Sequence, residues 1–480
     1  MAVSGVPRRP PGDEGSGLVV TVSPDAGASS ERYRPLPTGL HGLDPDTVKR
    51  DQRERLRSAL IELIAEKGYP AVRIVDLAKL AHVSPPTFYN LFSDKEDLLL
   101  NTYASIAEST VQTVMHAYAG SSRGRGLLEG MSAFAELAVA EPAPISLFVL
   151  GAFGAGSRML KHRSQILDDF EERIRYSRDG DAPTGRCDCT VKFILGGIRE
   201  VATLRLRNGR ERELPALAVE LTDWASGYPR HIPEELAIAP EESEESKQGD
   251  GTLEPSARAR RAEGRLPSGR SDLPRQFVVK SQQERIVDAT ASIVAEKGLA
   301  ALTIPEIARR ANVSYQTFYG IYPSKHDAFM GAQKVGMHQA LRVTVEAYDA
   351  HSEHWPQAVA ASLTALIDYL VSEPAHAHLS VVDTFAASPE TIEIRNASMD
   401  AFAAYLLKGQ SQTPTRQVPS VTAEAIAGGV WQVLHHYIEN DRIGELPCVA
   451  PQLVYLALTP YVGPAEATRA ARFAGQLGSA

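Results

Sequence analysis

A chain that repeats itself must fold as a repeat, and this one carries the same stretch of about fifty residues twice without a gap. Glu66-Lys67-Gly68 recurs as Glu296-Lys297-Gly298, a shift of 230 positions (68 to 298). The same shift carries Glu54-Arg55, Ala59, Ile74, Ala78, Ala81, Val83-Ser84, Thr87-Phe88-Tyr89 and Lys95 onto Glu284-Arg285, Ala289, Ile304, Ala308, Ala311, Val313-Ser314, Thr317-Phe318-Tyr319 and Lys325. Further on the shift becomes 232: Glu141-Pro142-Ala143 matches Glu373-Pro374-Ala375, Gly196-Gly197 matches Gly428-Gly429, and Leu214-Pro215 matches Leu446-Pro447. The difference places a two-residue insertion in the second copy, near Ala119 to Arg125, where Gly120-Ser121-Ser122-Arg123-Gly124 reads as a loop. Each copy is thus a head of about 50 residues followed by a body of about 130.

With 480 residues, 43% hydrophobic and 23% charged, the chain has globular composition and room for several cores. Its three cysteines, two of them in Cys187-Asp188-Cys189, neither build a disulfide framework nor have zinc-finger spacing, which points to a reducing cytosol. No run of 18 apolar residues occurs, so neither a membrane span nor secretion is expected, and the location implied is cytoplasmic and nucleoid-associated. A net charge of −9 argues against nucleic-acid binding over the whole surface and leaves room for local basic patches.

Residues 1–46 are rich in Pro, Gly and Ser and read as a disordered tail. Residues 233–275 open acidic at Glu234 and Glu235 and turn basic from Arg258 to Arg270, which reads as a flexible charged linker whose basic half suits DNA phosphates. The remaining segments divide into a first head (47–100), a first body (101–232), a second head (276–330) and a second body (331–472).

Leu56, Ala59, Leu60, Leu63 and Ile64 have the spacing of a helix with one apolar face, and Gly68 ends it. A second short helix buries Ile74, Leu77, Ala78 and Ala81. After a tight turn, Ser84 is placed to cap a third helix that buries Phe88, and Ser314 does the same before Phe318. Two short helices joined by a tight turn and packed on a longer one form a helix-turn-helix, whose third helix suits a major groove. Thr87, Tyr89 and Lys95 have no packing reason to recur as Thr317, Tyr319 and Lys325, yet hydroxyls and a lysine suit phosphate contacts.

These residues resemble a known family. Val83-Ser84-Pro85-Pro86-Thr87-Phe88-Tyr89-Asn90-Leu91-Phe92-Ser93-Asp94-Lys95 and Val313-Ser314-Tyr315-Gln316-Thr317-Phe318-Tyr319-Gly320-Ile321-Tyr322-Pro323-Ser324-Lys325 are both similar to the recognition-helix signature of TetR-type (tetracycline-repressor-like) transcriptional regulators. The resemblance implies an all-α chain in which each helix-turn-helix head carries a helical effector-binding and dimerisation body. It implies that Thr87, Thr317, Tyr89 and Tyr319 lie on the DNA side and that Lys95 and Lys325 hold a phosphate. Glycine usually occupies the turn in such proteins. His82 and Asn312 stand there in this chain and tolerate the positive φ it needs.

The heads differ. Thr303 and Glu306 form the pattern of a capping box, whereas the first copy has Arg73 at the cap. Pro85 and Pro86 remove two N–H donors from the first recognition helix, while Tyr315 and Gln316 stand in the second, and Gln bonds adenine bidentately. The expected DNA-binding set is therefore Arg73, Ser84, Pro86, Thr87, Tyr89, Asn90, Lys95, Thr303, Ser314, Tyr315, Gln316, Thr317, Tyr319 and Lys325, with the second head carrying more base-specific contact.

In the bodies, repeated glycines inside helical patterns suggest close helix approach. By the family resemblance, the closing helices of the two bodies pair with each other as an internal pseudo-dimer, or else between chains as a homodimer. A linker of about 43 residues spans roughly 35 Å, near the ~34 Å half-site spacing of paired helix-turn-helix units. A small-molecule effector is implied, with Phe134, Phe148, Phe153, Phe170, Phe385, Trp431 and His435 as candidate pocket residues. The histidines lack metal-ligand spacing, and no metal or cofactor is expected.

An enzyme reading has one motif, Gly151-Ala152-Phe153-Gly154-Ala155-Gly156. Its counterpart around Phe385 has no glycine, and no alternation of strands and helices surrounds either. The expected function is a double-stranded-DNA-binding regulator, a repressor by analogy. The alternative is a helical ligand-binding or scaffold protein with degenerate heads.

Overall fold

The computed structural model describes residues 44–120, 125–151, 155, 157–179, 189–229, 231–236, 275–384, 389–412 and 418–477. Every regular element among them is helical, as expected of an all-α tandem repeat. The first head comprises α1 (Pro45–Lys67), α2 (Ile74–Leu80) and α3 (Pro85–Leu91), and runs into α4 (Lys95–Gly120). Body one continues with α5 (Gly126–Ala140), α6 (Pro142–Leu150), α7 (Ser157–Asp179), α8 (Thr190–Arg207) and α9 (Leu214–Ser226). The second copy repeats this order: α10 (Arg275–Lys297), α11 (Ile304–Ala311) and α12 (Tyr315–Ile321) in the head, then α13 (Lys325–Ala350), α14 (Trp355–Ser372), α15 (Pro374–Val381), α16 (Pro389–Gln412), α17 (Thr422–Glu439) and α18 (Leu446–Val462). An additional helix, α19 (Pro464–Leu477), closes the second copy.

Each head has its own core, built largely from equivalent positions. Leu56, Leu60, Leu77, Ala81, Phe88 and Leu98 pack in the first, and Ile286, Ile307, Ala311, Phe318 and Ala328 in the second. Both turns between the short helices are left-handed, with φ of 52° at His82 and 50° at Asn312, the conformation that the expected glycine would have adopted.

The bodies share one continuous core. Phe193, Trp224 and Tyr228 of the first body belong to the same cluster as Trp355, Trp431, Tyr455 and Tyr461 of the second. Along its middle α8 crosses α17, and the glycines explain how closely. A Cβ on Gly196 would collide with the Gln432 side chain and stand 2.9 Å from the Gly428 carbonyl oxygen. A Cβ on Gly428 would collide with Glu200 and stand 2.9 Å from the Gly196 oxygen. Positions 196 and 428, like 200 and 432, are equivalents in the repeat, so the crossing is reciprocal.

Polar bonds cross the same boundary. Arg395 donates to both carboxylate oxygens of Glu200 at 2.8 and 2.7 Å, Arg205 reaches Glu424 at 2.7 Å, and Ser164 donates to Glu439 at 2.6 Å. The opening of the expected linker is held too: Ile232 and Leu236 are buried, Gln452 Nε2 donates to Leu236 O at 3.0 Å, and Arg472 pairs with Glu235 at 2.6 Å. The rest of that linker through 274, and residues 1–43 of the expected tail, lie outside the described residues. Among those described, no single helix is long and apolar enough to cross a membrane.

Candidate nucleic-acid interface and body cavities

The recognition helices α3 and α12 start alike. Ser84 Oγ accepts from Thr87 N at 3.2 Å, and Ser314 Oγ accepts from Thr317 N at 3.0 Å. Each cap hydroxyl also lies within hydrogen-bond distance of the threonine hydroxyl, at 2.8 Å in α3 and 2.9 Å in α12. One phenylalanine per helix is fully buried, Phe88 and Phe318, and the adjacent tyrosines stand edge-on to them. That anchoring turns Tyr89 and Tyr319 outward, 58% and 56% exposed. Ser84, Pro86 and Asn90 of the first head are exposed, as are Ser314, Tyr315 and Gln316 of the second; Thr87 and Thr317 are half-buried beside them. Around each short helix these residues are thus exposed or half-buried, with Phe88 and Phe318 as the buried side chains.

Lys95 does not join that face. Its ammonium donates to the carbonyls of Tyr69 and Val72 at 3.0 and 2.9 Å and lies over the Tyr69 ring, with burial lowering its pKa. The two carbonyls sit where the chain leaves the short 3-10 turn after α1, and their free lone pairs draw the amine inward. Lys325 repeats part of this, donating to Leu302 O at 2.9 Å, while its side chain stays exposed. Instead of reaching out from the start of the fourth helix for a phosphate, Lys95 ties that helix to the turn before α2.

Arg73 and Thr303 flank α2 and α11. The Arg73 guanidinium pairs with Asp76 at 2.9 Å, and Lys67 takes the same carboxylate at 2.8 Å. Thr303 Oγ1 accepts from Glu306 N at 3.4 Å, but the Glu306 carboxylate bonds Arg309 and Lys297 and does not return to the cap. Only half of the expected capping box is therefore formed, because two nearby cations hold the carboxylate more strongly than one backbone N–H can.

Arg55 and Arg285 were visible in the repeat, but their task needs the tertiary structure. Arg55 Nη1 donates to Ala81 O at 2.5 Å and His82 O at 3.2 Å, and Arg285 Nη1 to Ala311 O at 3.0 Å and Asn312 O at 3.1 Å. A guanidinium on the long first helix thus holds the carbonyls that the helix-turn-helix corner leaves free.

The bodies contain two cavities of unequal size. The one in body one has a volume of about 310 Å³, and Phe134, Phe148 and Phe170 are among the residues that line it. The one in body two is about 90 Å³, with Trp431 in its wall. His435 is in neither. It sits in a small polar cleft with Arg163, Arg199 and Glu439, where burial and then the charges of the two arginines hold its pKa well below the ordinary value. The tertiary fold decides this, because the helix turn carrying His435 faces body one and not its own cavity. Phe153 and Phe385 lie outside the described residues.

The sequence model described as "Bacterial regulatory proteins, tetR family" matches this chain at residues 56–102 and 286–329, one match on each head. The HTH-type transcriptional regulator HbdR of Aromatoleum sp. (strain CIB) is 32% identical over 71 residues, which cover 15% of this chain and 31% of that protein. The chain thus spans less than a third of the length of this relative. Two family matches at positions related by the internal repeat, each containing a serine-capped short helix, show that both heads of this chain are similar to the DNA-binding segment of tetR-family regulators.

Proposed function

We propose that the chain is a sequence-specific transcriptional repressor in which the two TetR-type units, 47–232 and 276–472, pair with each other inside one polypeptide and release DNA when a small molecule enters a body. One observation carries the DNA half of this reading: both short helices expose the same Ser and Tyr, with a half-buried Thr beside them, around a buried phenylalanine. Packing needs the phenylalanine and the cap, but not two outward tyrosines at equivalent positions. The reciprocal glycine crossing of α8 and α17 supports pairing within the chain, since it reproduces the self-complementary contact of a two-fold dimer. Gln316, Tyr315, Thr317 and Tyr319 are proposed to read bases and phosphates in the second head, and Pro86, Thr87, Tyr89 and Asn90 to dock the first mainly by shape and backbone contact.

The test is binding to duplex DNA carrying sites selected from genomic fragments, measured between about 50 and 200 mM salt. A monomeric chain that protects two half-sites about one helical turn apart, with affinity falling steeply with salt, is the expected result. A flat salt response or no binding supports the scaffold alternative, which Lys95, spent on two carbonyls, makes more credible for the first head than for the second.

A further inference from the structure

The larger cavity has walls of one kind and a single charge out of place. Met131, Phe134, Phe148, Phe170 and Ile174 make it apolar, and four ionic side chains reach its edge: Asp168, Glu171, Lys192 and Arg199. Three of these four satisfy one another. Lys192 Nζ stands 2.9 Å from Asp168 and 2.5 Å from Glu171, and Arg175 takes Glu171 at 2.6 Å.

Arg199 is different. Among the described residues its hydrogen-bond partner is the neutral Gln432 side chain, which comes from α17 of the other body. The carboxylate next to it in sequence, Glu200, gives both oxygens to Arg395. Burial and the neighbouring Arg163 pull the Arg199 pKa down to about 9, and the charge of Glu200, which is bonded to Arg395, offsets this only in part. Burying such a group is costly unless an anion joins it, and a bidentate carboxylate is the partner its fork fits best.

Resting on the effector reading above, we infer that the body-one cavity takes one amphipathic monoanion per chain, its apolar part among the phenylalanines and its carboxylate or equivalent acid on Arg199. The size fits. At about 30 Å³ per water-sized group, 310 Å³ holds upwards of about ten non-hydrogen atoms, whereas the 90 Å³ of body two holds about three. The acid end would compete with Gln432 for the guanidinium, at the crossing where α8 meets α17. Occupancy of one body is thereby felt at its contact with the other.

The experiment uses the full chain without DNA and three probes of one length: decanoate, decanol and decylamine, titrated by calorimetry at neutral pH. Decanoate should saturate at one per chain and bind at least about ten-fold more tightly than decanol, with decylamine weakest. Arg199→Gln should remove that ten-fold advantage and leave decanol unchanged. The proposal is overturned if decanol or decylamine matches decanoate, if two decanoates bind, if none binds saturably, or if Arg199→Gln binds decanoate like the parent. The probe series on the unaltered protein decides the matter even if the variant does not fold. Because no DNA is present, these results bear on the cavity alone, while the regulator reading stands or falls on the salt titration.

Discussion

Replacing Glu200 by Gln removes one negative charge from the boundary between the bodies while leaving the shape of the side chain intact. Glu200 and Arg395 are 5% and 2% exposed, joined by two charge-assisted bonds of 2.8 and 2.7 Å, with the guanidinium stacked 4.6 Å from the Trp431 ring. Burial pushes the Glu200 pKa up, but the charge and hydrogen bonds of Arg395 more than offset it and hold the carboxyl below its ordinary value. Neutralising it strands Arg395 and withdraws a negative charge that acts on Arg199 and Arg207. Breaking a buried pair from one side costs about 3–5 kcal/mol, and Gln keeps one hydrogen bond, so about 3 kcal/mol is expected. With a urea slope of about 3 kcal/mol/M, the unfolding midpoint should fall by about 1 M. Arg395→Met should cost at least as much, and the double variant should cost about 2 kcal/mol less than the sum of the singles. If the pairing lies within the chain, none of these midpoints should change with protein concentration. A Glu200→Gln loss under about 1 kcal/mol, or strict additivity in the double variant, refutes the reasoning about the pair. A midpoint that rises with concentration refutes pairing within the chain.

Three further outcomes are expected. In a binding-site selection Gln316→Ala should relax base preference at one position, by about 1–3 kcal/mol of discrimination, and Asn90→Ala should change it less; the reverse order would contradict the assignment of base reading to the second head. Arg55→Met should destabilise the first head by about 1–3 kcal/mol, because it leaves the carbonyls of Ala81 and His82 without their partner, and loss of hydrogen-exchange protection at that corner is the measurement. His436, whose pKa burial and then Lys192 lower to about 4, resists protonation in the fold although Asp168 stands 3.7 Å away. Its contribution to stability is therefore complete above pH about 6.5 and drains away as pH falls towards 4. His436→Gln should lose less stability than the parent between those values, and parallel pH profiles would count against it.

Much of the heads was legible because its causes are local. The repeat located both copies, apolar spacing located two helices in each and a capping serine before a phenylalanine the third, and the residue types at Ser84, Ser314, His82 and Asn312 suited the caps and left-handed turns that the structure contains. The inward direction of Lys95 was not legible for a physical reason: an amine at that position is equally compatible with a phosphate outside and with two carbonyls inside, and the direction depends on where the turn after α1 brings Tyr69 and Val72. The capping box at Thr303 failed similarly, since Lys297 and Arg309 compete for Glu306 from different elements.

The order of residues alone determined that this polypeptide is two helical copies in series and that each would present a serine-capped helix, because repetition, periodicity and capping act over a few positions of the chain. Which helix of one copy meets which of the other, that the described cavity of body one is larger than that of body two, and that Arg199 lines it hydrogen-bonded to a neutral glutamine, were decided by tertiary packing. Those properties depend on volumes and distances between groups hundreds of positions apart, such as Arg199 and Gln432, and no local pattern encodes them.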